Sequence, residues 1–90
     1  MNNGIRLTFD SVKDAANQEK HGLSLALVEA VIEGAVATFL DSRFDYGEDR
    51  FVTFGTIAGR LHVAVWSERE GTVRAISVRK ANAREQARYG

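Results

Sequence analysis

Three runs of strand-forming residues, Phe51 to Gly55, Leu61 to Ser67 and Thr72 to Lys80, follow one another with only short turns around Ala58-Gly59-Arg60 and Glu68-Arg69-Glu70-Gly71 between them. Connections this short leave no room for a crossover, so the three runs must be antiparallel neighbours in one sheet. Side chains alternate between the two faces of a strand. Leu61, Val63 and Val65 therefore share one face of the middle run, and His62, Ala64 and Trp66 the other. In the last run Arg74, Ile76, Val78 and Lys80 fall on one side, and Val73, Ala75, Ser77 and Arg79 on the opposite one. The β-branched Ile76 and Val78 mark the first side as core, which leaves Ser77 and Arg79 on the more open side.

Upstream, Ile5, Leu7 and Phe9 alternate with polar residues as in a short half-buried strand. Asp10 or Ser11 caps a helix that runs to about His21 and is stopped by Gly22. Ser24 offers a second N-cap, and Leu25, Val28, Val31 and Ile32 recur at helical spacing until Gly34. Ala35 to Leu40 is another apolar run rich in β-formers, and it breaks into the polar segment Asp41 to Asp49. At the other end, Asn82 followed three residues later by Glu85 is a capping-box pattern that starts a last helix ending at Tyr89. The expected class is α+β: a small, mainly antiparallel sheet packed against two N-terminal helices, with a short C-terminal helix, in a single domain spanning 1–90.

The formal net charge of zero hides two opposite halves. Residues 1–49 carry four Lys and Arg against nine Asp and Glu, a net of −5, whereas residues 50–90 carry eight against three, a net of +5. The basic half, centred on a strand that gathers several cations and on Arg84 and Arg88 of the last helix, points to a polyanion partner. The chain has no cysteine, which excludes thiolate metal sites and Cys nucleophiles, and its two histidines, His21 and His62, are too far apart in sequence for a metal-binding motif. No metal and no cofactor are expected. Nothing approaches the ~18 apolar residues of a membrane span, and Met1-Asn2-Asn3-Gly4 lacks the features of a signal peptide, so a cytoplasmic protein without membrane contact is expected.

Four segments resemble a known family. Phe9-Asp10 with Lys13, Asn17 and Lys20-His21-Gly22, then Gly47-Glu48-Asp49-Arg50-Phe51, then Val65-Trp66-Ser67-Glu68-Arg69, and finally Ile76-Ser77-Val78-Arg79-Lys80-Ala81 with Glu85 and Tyr89 are similar, in that order, to the BrnT family of toxins from bacterial type II toxin-antitoxin systems. The resemblance implies a RelE-like ribonuclease fold, RNA cleavage that slows translation, and neutralisation by a BrnA-type antitoxin through which DNA is contacted only indirectly. Two other readings stay open on the residues alone. One is a non-catalytic module that binds nucleic acid or protein; the other is a degenerate toxin that only binds its antitoxin.

Metal-free RNA cleavage uses the neighbouring 2′-hydroxyl as nucleophile, so the protein supplies a base, an acid and cations for the developing phosphorane charge. Arg79 is the first candidate for phosphate stabilisation, because a guanidinium on a strand is held stiffly and can contact two oxygens at once; its structural alternative is pairing with Glu68 or Glu85. Arg50 and Arg69 come next, on the expectation that adjacent strand ends bring them together with Arg79. Glu48 is the best-placed carboxylate for a base, although an adjacent Arg lowers its pKa, and orienting Arg50 is its other role. Lys80, Arg74, Arg84 and Tyr89 are candidates for RNA binding, Tyr89 by stacking or by packing on the domain. Glu85 and His21 read as structural, through the capping box and the helix C-terminus respectively.

Overall fold

The computed structural model describes residues 5–41 and 48–90. The polar segment after Asp41, including Gly47 of the central motif, falls largely outside them. Strands β1 (Leu7–Thr8), β2 (Ala35–Asp41), β3 (Arg50–Ile57), β4 (Arg60–Arg69) and β5 (Thr72–Lys80) form one sheet in the order β1-β5-β4-β3-β2, with helices α1 (Ser11–His21), α2 (Val28–Glu33) and α3 (Ala83–Tyr89). The three consecutive pairings from β2 to β5 are antiparallel.

Both tight turns of this meander hold two residues at positive φ, Ala58 at 51° with Gly59 at 81°, and Glu70 at 54° with Gly71 at 79°. That is the twist a two-residue hairpin needs to match its strands. The sheet is nonetheless mixed. β1 joins the far edge in parallel, pairing Leu7 with Val73 and Thr8 with Arg74, with the Arg6 carbonyl accepting from the Val73 amide, and it is shorter than the Ile5–Phe9 run.

Local signals hold the helices. The Asp10 carboxylate accepts from the Val12 amide at the start of α1, and Gly22, at φ 73°, closes its end by donating to Gln18. The expected second helix divides into a 3-10 turn at Leu25–Leu27, capped by Ser24, and the six-residue α2. Gly55 explains how α2 lies so close to the sheet, because a Cβ there would overlap the Val31 carbonyl.

The sheet is covered on both faces. On one, Leu25, Val28 and Val31 pack on Ala64, Ala75 and Val78, all buried. On the other, Phe54, Leu61, Val63 and Ala81 form a second cluster with Val52 and Tyr89. Strict alternation had placed Ile76 in the core beside Val78, with Ala75 on the open side. A bulge overturns this: Val65 pairs with Ser77 but Trp66 with Ala75, so three residues of β5 span two of β4. Ala75 and Val78 thereby reach the same core in spite of their odd spacing, and Ile76 is only half-buried.

The edge that β1 leaves bare is closed by α1. Asn17, buried at 7% exposure, donates to the carbonyls of Val78 (2.9 Å) and Leu23 (2.8 Å) and accepts from the Val78 amide (3.3 Å). Its amide serves as a strand partner for β5 where no strand exists.

Candidate nucleic-acid interface

The strand register decides which cations meet. Asp41 pairs with Arg50, Arg50 with Ser67, and Ser67 with Arg74, so these four residues form one row across β2, β3, β4 and β5. Strand spacing puts the Arg50 and Arg74 backbones roughly 10 Å apart. Arg69, two residues beyond Ser67, points to the same face from the next row, opposite Thr72. This is the face of Leu61, Val63 and α3. Both Arg50 and Arg74 are half-buried, and Arg69 is exposed.

Glu48 joins the cluster from the chain leading into β3. Arg69 donates to its carboxylate at 2.8 Å. That hydrogen bond, followed by the Arg69 charge and the Arg50 charge, holds the Glu48 carboxyl below the usual carboxylate range. The cluster is thus three guanidiniums, two carboxylates, Glu48 and the Asp41 that pairs with Arg50 from β2, and a buried serine, which leaves a net positive charge where β3 starts, β4 ends and β5 starts. It can bind a phosphodiester and stabilise charge on it.

Arg79 is elsewhere. It pairs with Val63, six residues from Arg69 along β4, which is about 20 Å at the rise of a strand. The expected meeting of Arg50, Arg69 and Arg79 does not occur, because the end of β4 adjoins the start of β5 and not its end. Instead, Arg79 meets Glu85 fork to fork, with both nitrogen-to-oxygen distances 2.8 Å. Glu85 also accepts from the Asn82 amide while Asn82 caps the Glu85 amide, completing the capping box of α3. The Glu85 hydrogen bond raises the Arg79 pKa, and Arg79 lowers that of Glu85 to about 2.

The remaining candidates divide between the two faces. Lys80 is exposed and pairs with His62, on the face of the sheet that α2 covers, away from the arginine row. Arg84 is exposed on α3, next to the Arg79 end. Tyr89 stacks on Phe54, with ring centroids 4.3 Å apart, and touches Phe39 at 5.9 Å, so its ring closes the second core. His62 is buried and bonded through Nδ1 to the Arg60 carbonyl at 2.8 Å. Trp66 stacks on Phe51 and donates to the Thr53 hydroxyl at 2.9 Å. Sequence reasoning missed Ser67 and the central position of Arg74; the register of the two hairpins was the signal that could have shown both.

Among the described residues no group of three or more His, Asp or Glu side chains is arranged to hold a metal ion, and no helix is long and apolar enough to cross a membrane. The chain is thus a small α+β domain with a mixed five-stranded sheet that carries a row of guanidiniums on one face. Residues 9–85 match the family described as ribonuclease toxin, BrnT, of type II toxin-antitoxin systems, and the chain belongs to that family. It is a ribonuclease toxin, and the family implies RNA as substrate and an antitoxin as partner. No curated protein matches the chain.

Proposed function

We propose that the chain cleaves RNA without a metal, by attack of the 2′-hydroxyl on the adjacent phosphorus, with Arg50, Arg69 and Arg74 as the phosphate-binding cations. The reading rests on the row Arg50, Ser67, Arg74 with Arg69 beside it on one sheet face. As the 2′-oxygen gives its proton to water and bonds to phosphorus, and the 5′-oxygen departs and takes a proton from water, negative charge grows on the phosphoryl oxygens. Preorganised guanidiniums stabilise that charge more than the ground state. The lowered pKa of Glu48 suits a residue that stays ionised and orients Arg69 better than it suits a general base near neutrality. Arg79 then acts through Glu85, fixing α3 on the sheet.

Cleavage of cellular RNA accounts for inhibition of translation, and a BrnA-type antitoxin neutralises the activity by covering the arginine face, with DNA reached only through that antitoxin. Purified protein should cut single-stranded RNA in EDTA and leave a cyclic phosphate. Loss of cleavage on chelation, restored by a divalent ion, would overturn the mechanism; a complex with antitoxin in which Arg69 and Arg74 stay exposed would overturn steric inhibition.

A further inference from the structure

The motif Lys13, Asn17, Lys20-His21 is not used by the cluster above. In α1 these residues are three, four and seven positions apart, the spacing of one helix face. Asn17 fastens that face to the bare edge of β5 through its bonds to Val78. Beside this attachment lies a groove of about 220 Å³ lined by Lys13, Ala16, Asn17, Lys20, His21, Ile76 and Ser77. None of these lining residues is a carboxylate. The two acidic residues of the helix lie outside this lining: Glu19, beside Lys20, is exposed, and Asp14 accepts from the Ser24 hydroxyl, the Leu25 amide and the Gln18 side chain. Among the described residues neither Lys13 nor Lys20 has a hydrogen bond or ion pair of its own side chain.

The bulge in β5 links this groove to the arginine row. Arg74 pairs with Ser67 and Ser77 with Val65, and Ser67 and Val65 lie on the same face of β4. Although Arg74 and Ser77 are three residues apart, both therefore project from the same side of the sheet. A strand of RNA held by phosphate at Arg74 can continue along β5 to the Ser77 hydroxyl and reach the two lysines.

We propose that the groove between α1 and β5 is a second phosphate-binding site, at which Lys13 and Lys20 hold the RNA backbone beyond the scissile position, with His21 and Ser77 as hydrogen-bonding partners. The inference rests on RNA being the substrate. It would let a chain of zero net charge hold a polyanion: two of the four cations of the acidic N-terminal half, Lys13 and Lys20, lie on the one helix face that continues the basic surface.

The test uses a short single-stranded RNA carrying 2′-O-methyl groups, which can bind but not be cut, and compares wild type with the double variant Lys13→Gln/Lys20→Gln over a series of salt concentrations. Both lysines are exposed, so circular dichroism should show the variant folded. Affinity should fall several-fold, and the slope of log affinity against log salt should become shallower by ~1.4, about 0.7 for each single-strand phosphate that the variant no longer neutralises. In wild type, the Ser77 amide and the His21 ring should shift in NMR spectra as this RNA is added. An unchanged slope with unmoved Ser77 and His21 signals, in a wild type that binds and cuts RNA, would overturn the groove and leave the arginine site standing. A variant that keeps its RNA affinity and salt slope but no longer binds its antitoxin would also overturn it, assigning the lysines to a protein interface. Failure of wild type to bind RNA at all would remove both readings.

Discussion

Arg79 and Glu85 meet through two parallel hydrogen bonds of 2.8 Å, and the same carboxylate caps the helix that carries it. One side chain thus ties the end of β5 to the start of α3. Since α3 contributes Tyr89 to the second core, the pair fixes the lid of that core.

The pair makes a stability prediction with a definite sign. Glu85 titrates near 2 in the folded protein, below its ordinary value of 4.5, so its contribution is fully present above about pH 4.5 and is lost as pH falls toward 2. Glu85→Gln should lower the melting temperature near pH 6 and converge on wild type near pH 2. Because the site is partly open to solvent, the difference at pH 6 should be ~1 kcal/mol. Equal gaps at both pH values would show that the carboxylate charge contributes nothing. Asp14 and Glu48 also have lowered pKa values and will steepen the acid limb of both proteins alike.

Lysine substitutions separate the two kinds of arginine. Arg79→Lys keeps the charge but cannot satisfy both oxygens of Glu85; it should lower the melting temperature by roughly 4–8 °C, equivalent to ~1 kcal/mol, with a small effect on turnover by the folded protein. Arg69→Lys should leave melting nearly unchanged and reduce cleavage more than ~10-fold, over ~1.4 kcal/mol. The opposite pattern in melts and single-turnover assays would return Arg79 to the reaction and remove Arg69 from it.

Asn17→Leu keeps the branched four-atom side-chain skeleton but deprives the Val78 amide and two carbonyls of their partner. Leaving buried backbone groups unsatisfied costs ~1–3 kcal/mol each, so this change should destabilise more than Glu85→Gln. Hydrogen exchange at the Val78 amide should accelerate at least as much as global stability falls. A protected Val78 amide in the variant would mean that another group closes the edge.

Gly55→Ala tests the packing of α2 on the sheet. The added methyl overlaps the Val31 carbonyl, a backbone atom that cannot swing aside, so denaturation should show a destabilisation of at least ~1–3 kcal/mol. A near-neutral melt would mean that α2 shifts freely on β3.

Much of the fold was legible because its signals are local. Asp10 and Gly22 bracket α1, Asn82 and Glu85 form the capping box, and the two hairpins follow from their spacing. The alternation of β4 was also right, with Leu61 and Val63 on one face and His62 and Ala64 on the other. What failed depended on distant partners or on a broken period. Leu7 gives no sign that it will lie parallel to Val73, Asn17 looks like any helix-surface amide, and the bulge at Ile76 inverts the assignment of Ala75. The arginines misled for a simpler reason: three cations near strand ends were gathered without asking which ends adjoin. Writing out the antiparallel register puts Arg74, not Arg79, beside Arg50 and Arg69.

The bond from Asn17 to Val78 spans 61 residues of sequence, and this has a consequence for the newborn chain. At ~5–20 residues per second of synthesis, the last strand emerges about 3–12 s after the helix that must clasp it. During that interval α1 has no edge to hold, and β4 lacks the neighbour that brings Arg74 to the row. Order of assembly therefore postpones the phosphate-binding surface until synthesis of β5 is complete, so a ribosome making this protein is not confronted with a finished site while the strand that completes it is still being translated.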